Sequence, residues 1–177
     1  MKKNKELITV LIVNYNNAKY ISESINSIKK QKIKNIEIIV IDDQSSDQSV
    51  KEIKKFQNVK LLKTRKKTKY GSYNQMNAYQ LGLKKAKGEI IFFLDSDDFF
   101  ENKKIETLKK YLIKYNSNLL LDKPYIYFSK KNFYKFKIKE RSKFIIPWQN
   151  FPPQSCFVGK KKYLKKIFKK ICIKKFP

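Results

Sequence analysis

Histidine is absent from the 177-residue sequence, and cysteine occurs only twice. The lack of histidine excludes imidazole catalysis and zinc sites with histidine ligands. Cys156 and Cys172 are too few and too far apart for a metal cluster, so we interpret both as reduced, structural thiols of a cytoplasmic protein. The apolar run at residues 7–13 is too short for a signal peptide or a membrane span.

Acidic residues are scarce as well, with 15 against 42 basic ones and a formal net charge of +27. Such an excess suggests nucleic acid, but only Arg65 and Arg141 are arginines, whose planar group usually reads bases and phosphates. The lysines are spread along the whole chain, and a genome with a bias toward lysine codons would produce the same distribution. We therefore expect no nucleic-acid partner, and peripheral contact with the anionic inner face of a membrane, at about 1 kcal/mol per nearby lysine.

Apolar runs alternate with helical patterns through the first two thirds of the chain. Strands are predicted at residues 7–13, 36–41, 59–63 and 89–94, of which the first two are expected to be buried. Helices are predicted at residues 18–30, 72–87 and 103–115, with Gly88 as the C-cap of the second of these. Another helix is predicted to begin with Ser46 or Asp47 as its N-cap and to end near Phe56. This alternation predicts a single α/β domain with a mostly parallel sheet and helices on both faces.

The last third has a weaker pattern. Short strands are predicted at residues 124–129, 133–138 and 155–158, and a basic amphipathic helix at 159–173.

Polar residues follow three of the predicted strands. Strand one ends in Val13-Asn14-Tyr15, strand two in Asp42-Asp43 and strand four in Asp95-Ser96-Asp97-Asp98. In open α/β sheets, ligands bind beyond the carboxyl ends of the strands. Carboxylates this close repel one another unless a cation neutralises them, and oxygen ligands suit Mg²⁺ or Mn²⁺. Taken alone, the Asp-x-Asp pattern is equally typical of a polar turn that caps a helix.

The three motifs together resemble glycosyltransferase family 2. The resemblance rests on ITVLIVNYNNAKYISESINSI at residues 8–28, IEIIVIDDQSSDQSV at 36–50 and KAKGEIIFFLDSDDFF at 85–100. It implies a GT-A fold, which is a Rossmann-like sheet covered by helices. Residues 1–117 would form the nucleotide-sugar-binding half, and residues 118–177 the start of the acceptor-side half.

The resemblance also implies roles for single residues. Tyr15 would stack on the nucleotide base, and Asp43 would accept the hydrogen bond from the pyrimidine N–H. Asp42 is the lesser candidate for that bond, because alternation along the strand directs it to the other face. The remaining donor-binding positions are Val13, Asn14, Asp95, Ser96 and Asp97. Asp97 and Asp98 are the metal candidates, and the sequence does not rank them.

Two departures from the family pattern are visible. Gln44 stands where the family often has a glycine, so the turn after the double aspartate is expected to differ. Tyr79 and Gln80 occupy the places of a frequent Arg-Asn pair, which removes a cation from the diphosphate. Lys67, Lys69 and Lys84 are candidates to replace that charge.

Inverting transfer also needs a general base for the acceptor hydroxyl. Asp122 and Glu140 are weak candidates, since neither matches the family position and no acidic residue follows Glu140. We therefore expect a fragment, a truncated gene product or a donor-binding protein without turnover, with the base lying beyond Pro177.

The leading hypothesis is metal-dependent transfer of a sugar, with inversion, from a UDP- or dTDP-sugar to a glycan or lipid-linked acceptor of the cell envelope. The alternatives are a catalytically silent nucleotide-sugar binder and a basic nucleic-acid-binding protein. A nucleotidyltransferase is disfavoured, because no glycine-rich phosphate loop lies near the N-terminus.

Overall fold

The computed structural model describes residues 7–65, 68–129, 132–135 and 154–171. Its elements, in chain order, are β1 (Ile8–Asn14), α1 (Ile21–Lys29), β2 (Ile36–Asp42), α2 (Ser49–Lys54), β3 (Val59–Lys63), α3 (Gly71–Lys85), β4 (Ile90–Asp95), α4 (Lys104–Lys114), β5 (Leu119–Leu121), β6 (Tyr125–Ser129), β7 (Asn132–Lys135), a 3-10 turn (Gln154–Cys156), β8 (Phe157–Lys160) and α5 (Lys161–Ile171). Within these ranges, no helix is long and apolar enough to cross a bilayer.

Six of the strands form one sheet in the order β3-β2-β1-β4-β8-β5, and β6 and β7 form a separate hairpin. Neighbours from β3 to β4 run parallel, whereas β8 is antiparallel to both β4 and β5. This arrangement confirms the predicted α/β class with a mostly parallel sheet. Sequence reasoning missed β5, because three leucines are too short a run to show a strand pattern.

The sheet is covered on both faces, and β1 at its centre is buried along its whole length. On one face, Ile8, Val10 and Ile12 share a core with the apolar side of α1. On the other face, Leu11 and Val13 share a core with residues of α3 and α5. A strand buried on both faces needs apolar residues at every position, which explains the continuous run that the sequence shows.

Several element ends differ from the prediction. Helix α3 stops at Lys85, and its C-cap residue is Ala86 in an extended conformation. Gly88 is therefore not a C-cap. A Cβ atom there would lie 2.6 Å from the backbone N of Thr9, so glycine permits the close approach of two backbones. The predicted strand at 155–158 lies two residues later as β8, and this delays α5 to Lys161.

Two further predictions are settled in part. The N-cap position of α2 is Gln48, which makes no side-chain cap bond, although Asp47 accepts a hydrogen bond from the Ser49 N–H at 2.9 Å. The predicted strand at 133–138 is observed as β7, and its last three residues lie outside the described part of the chain.

The turn after β2 has a left-handed residue although it contains no glycine. Gln44 has φ of 60° and an exposed side chain. Glutamine thus adopts positive φ at this position, and the expectation of a turn that differs from the family's stays a prediction. For a residue with a Cβ atom, a positive φ costs roughly 1–2 kcal/mol in the folded state. Replacement by glycine would remove this cost, but the greater flexibility of glycine in the unfolded chain would offset about half of the gain.

We predict that Gln44→Gly stabilises the fold by about 0.5–1 kcal/mol, because glycine adopts positive φ without the steric cost. Gln57→Gly is the matched control, since Gln57 is also exposed but does not have a positive φ. The control should destabilise the protein. Urea unfolding of both variants measures the difference, and equal destabilisation by the two substitutions would contradict the account.

Candidate functional site

A cleft of about 370 Å³ opens at the carboxyl edge of the sheet. It lies where β1, β2 and β4 end, and the first turns of α3 close one side. The lining residues are Val13, Tyr15, Asn17, Asp43, Gly71, Asn74, Gln75, Asp95, Ser96 and Asp97. Six of these residues come from the predicted donor-binding set, so the three strand-end motifs do meet at one place.

Two members of the predicted set lie beneath the cleft and do not line it. Asn14 and Asp42 are 0% and 1% exposed, and the Asn14 amide donates to the Asp42 carboxylate at 2.9 Å. The Ser45 hydroxyl donates to the same oxygen at 2.6 Å. These contacts hold the loops after β1 and β2 together, and the donor-binding role of the two residues stays a prediction.

Asp43 is the residue of the pair that reaches the cleft. Its side chain accepts a hydrogen bond from the Thr64 hydroxyl at 2.6 Å, and its backbone N–H donates to the Asn14 carbonyl at 2.8 Å. Thr64 follows β3 directly, so the end of a third parallel strand orients this carboxylate. Both aspartates are buried, but only Asp43 lines the cleft, in agreement with the alternation of side chains along β2.

Asp95 is held by two neutral donors from α3. The Gln75 amide and the Tyr79 hydroxyl both reach its Oδ1, at 3.0 and 2.8 Å. Burial raises the pKa of Asp95 to about 6; the Tyr79 hydrogen bond opposes this rise, and the charges of Asp98 and Asp97 add to it. Tyr79 thus fills the place of the family's arginine with a donor that carries no positive charge.

Asp97 and Asp98 differ in their surroundings. Asp97 is exposed and lines the cleft, whereas Asp98 is half-buried and accepts a hydrogen bond from the Ser155 hydroxyl. Burial raises the pKa of Asp98, the Ser155 bond lowers it, the Asp97 charge raises it and the Lys104 charge lowers it. The loop therefore concentrates negative charge that a cation would stabilise.

Among the described residues, no group of three or more acidic or cysteine side chains is arranged to hold a metal ion. The described residues therefore offer at most an incomplete set of oxygen ligands there. Mg²⁺ commonly binds in this way, with one or two carboxylates and the phosphates of a substrate.

The lysines proposed to replace the family's arginine receive no support at two positions. Lys69 lies over the ring of Tyr70, at 5.2 Å from the Nζ atom to the ring centroid. Lys84 is nine residues after Gln75, the last lining residue of α3, which places it about 13 Å along the helix from the cleft. Lys67 lies outside the described residues.

Of the two candidate bases, Asp122 does not reach the cleft. Asp122 forms an ion pair with Lys104 at 2.9 Å and is not a lining residue. Glu140 lies outside the described residues. The acidic residues that line the cleft are Asp43, Asp95 and Asp97.

Sequence reasoning missed the contribution of α3 and of the loop after β1. Gln75 and Tyr79 lie four residues apart and so share one helical face, which is a signal that the sequence did contain. Asn17 donates to the Ser96 hydroxyl at 2.7 Å and joins the first motif to the third. That contact carries no signal in the sequence, because it joins residues 79 positions apart.

Comparison with known proteins finds glycosyltransferases that are similar in sequence to this chain. The poly(ribitol-phosphate) β-N-acetylglucosaminyltransferase TarS of Staphylococcus aureus is 32% identical over 117 residues, which cover 65% of this chain and 20% of TarS. The glycosyltransferase GlyG of Streptococcus pneumoniae is 36% identical over 132 residues, which cover 73% of this chain and 43% of GlyG. The chain thus spans less than half the length of these two relatives.

Solved structures agree. The crystal structure of TarS residues 1–349 with UDP-GlcNAc has a TM-score of 0.68 at 24% identity, covering 91% of this chain and 47% of that one. The mannosyltransferase PcManGT of Pyrobaculum calidifontis, in complex with GDP-Man and Mn²⁺, has a TM-score of 0.58 at 20% identity, covering 66% and 35%. These likenesses show a shared GT-A-like fold.

The sequence model of glycosyl transferase family 2 matches residues 9–171, which is nearly the whole chain. The match covers all three strand-end motifs and the 3-10 turn that carries Ser155. The chain therefore belongs to glycosyltransferase family 2.

Proposed function

We propose that the cleft binds a UDP- or dTDP-sugar and that the protein transfers the sugar, with inversion, to a glycan or lipid-linked acceptor. One observation carries the proposal: an exposed aromatic ring, an oriented carboxylate and a cluster of aspartates line the same cavity. These are the groups that a base, its ring N–H and a metal-bound diphosphate require. The TarS complexes with UDP and UDP-GlcNAc support this class of donor.

The base end of the site is proposed to lie between Tyr15 and Asp43. Tyr15 is 47% exposed at the cleft, which leaves ring surface for stacking. Asp43 is only 5% exposed and is held by Thr64, so its orientation costs little on binding. In this proposal a carboxylate oxygen of Asp43 accepts the hydrogen bond from the pyrimidine N–H.

The diphosphate end is proposed to lie at residues 95–98. Their oxygen atoms are hard ligands, which fits Mg²⁺ or Mn²⁺, and Asp97 and Asp98 are the proposed ligands. When bound, the cation would neutralise the charge of the departing nucleoside diphosphate. Asp95, held by Gln75 and Tyr79, would orient the loop beside the ribose.

The proposal for the acceptor rests on the positive charge of the protein. The net charge of +27 favours an acceptor presented at an anionic membrane surface of the cell envelope. Helix α5 contributes to this surface with a lysine-rich exposed face and no acidic residue.

We predict that Mn²⁺ tightens the binding of UDP about tenfold or more, which corresponds to about 1.4 kcal/mol. Asp98→Ala should remove most of that gain, because it deletes a proposed ligand. Glu106→Ala is the charge-matched control, since Glu106 is exposed on α4. Calorimetric titration with Mn²⁺ and with a chelator measures the gain, and equal UDP affinity under both conditions would refute the metal site.

A second prediction concerns the base. Tyr15→Ala should weaken UDP binding about 5- to 150-fold, since stacking on an aromatic ring contributes roughly 1–3 kcal/mol. Tyr20→Ala is the control, because Tyr20 has a similar exposure of 41% and is not a lining residue. If both variants bind UDP as the unmodified protein does, the base does not stack on Tyr15.

The third prediction separates binding from turnover. All acidic residues of the described cleft are assigned to the donor, and a general base typically contributes about 10²–10⁴-fold. The polypeptide of residues 1–177 should therefore bind UDP with metal but transfer sugar slowly or not at all. This outcome also corresponds to the second candidate function, a nucleotide-sugar binder without turnover.

Calorimetry and an assay of UDP release on one preparation measure both quantities. Turnover on the order of 1–10³ s⁻¹ would contradict the prediction. Glu140→Gln and Asp122→Asn would then test whether either carboxylate is the base.

A further inference from the structure

Ser155 joins the aspartate loop to a segment far away in sequence. It lies in the 3-10 turn before β8, and its side chain is 6% exposed. Its hydroxyl donates to Oδ2 of Asp98, 57 positions earlier in the chain, and accepts from the backbone N–H of Asp95 at 3.0 Å. One hydroxyl thus contacts the end of β4 and a carboxylate of the loop that follows it.

This pair of bonds determines where the hydroxyl proton goes. A serine hydroxyl has a single proton to donate. Because its oxygen is anchored by the Asp95 N–H, the position of that oxygen relative to β4 is fixed by the main chain. The proton then holds one oxygen of Asp98, and with it the rotation of the carboxylate.

The turn that carries Ser155 is itself anchored. The Lys104 ammonium donates to the Ser155 carbonyl at 3.0 Å and forms the ion pair with Asp122 at 2.9 Å. The Asp122 N–H donates to the Cys156 carbonyl at 3.1 Å. Lys104 begins α4, so the turn is tied to a helix as well as to the sheet.

We infer that Ser155 is a positioning residue that sets the orientation of Asp98 for the cation and diphosphate of the donor. The inference rests on the proposed function, since it concerns the proposed metal ligand. A residue of the predicted acceptor-side half, residues 118–177, would thus affect donor binding. The effect would be seen only when the metal is bound. The contact residues of the cleft alone do not predict this role, because Ser155 does not line it.

The chain offers a closely matched control in Ser27 of α1. Ser27 is also 6% exposed, accepts from the Phe100 N–H at 3.0 Å and donates to the Ser24 carbonyl at 2.7 Å. Both serines are therefore equally buried and bridge two partners near the same loop. They differ in the acceptor of the hydroxyl hydrogen bond, which is a backbone carbonyl for Ser27 and a carboxylate for Ser155.

The experiment compares UDP affinity with Mn²⁺ and with chelator for the unmodified chain, Ser155→Ala and Ser27→Ala. Ser155→Ala should reduce the Mn²⁺ gain about tenfold or more, as loss of a partner of a metal ligand typically does. Its metal-free UDP affinity should stay within about twofold. Ser27→Ala should keep the gain while losing a comparable amount of thermal stability.

Ser155→Cys serves if the alanine variant fails to fold, since it keeps the approximate volume but donates weakly. A full Mn²⁺ gain in a folded Ser155 variant would overturn the inference and leave the proposed function intact. An equal loss of gain in Ser27→Ala would also overturn it, because the effect would then be general destabilisation. No Mn²⁺ gain in the unmodified chain would overturn the inference together with the proposed metal site.

Discussion

The parallel register of β1 with its two neighbours is the constraint on which the site depends. β1 pairs with β2 so that Asn14 lies opposite Asp42, and with β4 so that Val13 lies opposite Asp95. Three polar loops must therefore leave the sheet at the same level and on the same edge. A shift of β4 by one residue would turn Asp95 to the other face of the sheet. The apolar core on both faces of β1 prevents that shift, so core packing fixes the geometry of the cleft.

The cost of this arrangement is a set of aspartates with little compensating charge. Asp95 is half-buried, and Tyr79 and Gln75 offer it hydrogen bonds without a positive charge. Asp98 relies on Ser155, and Lys104 supports it electrostatically. The residual repulsion favours a cationic ligand, which agrees with a donor bound through a metal. Tyr79 therefore leaves more of this repulsion uncompensated than an arginine at the same position would.

The fold and the centre of the site were predictable from sequence, and the supporting contacts were not. Continuous apolar runs identify β1, β2 and β4, and polar residues at their ends mark the cleft, because parallel strands end together. Gly88 was misassigned because a glycine after a helix resembles a C-cap, while its real reason is the Thr9 backbone on another strand. Ser155 acts across 57 positions, so no local pattern reveals it. Tertiary contacts of this kind depend on the assembled sheet.

A crystal structure of the chain grown with UDP and Mn²⁺, with anomalous scattering to locate the metal, tests the proposed donor site. We expect a uracil ring stacked on Tyr15 with its N–H bonded to Asp43, and Mn²⁺ bound to Asp97 or Asp98 and to the diphosphate. We also expect that Ser155 keeps its hydrogen bond to Asp98 in the complex. Nucleotide bound away from this cleft, or metal bound without contact to residues 95–98, would contradict the proposal.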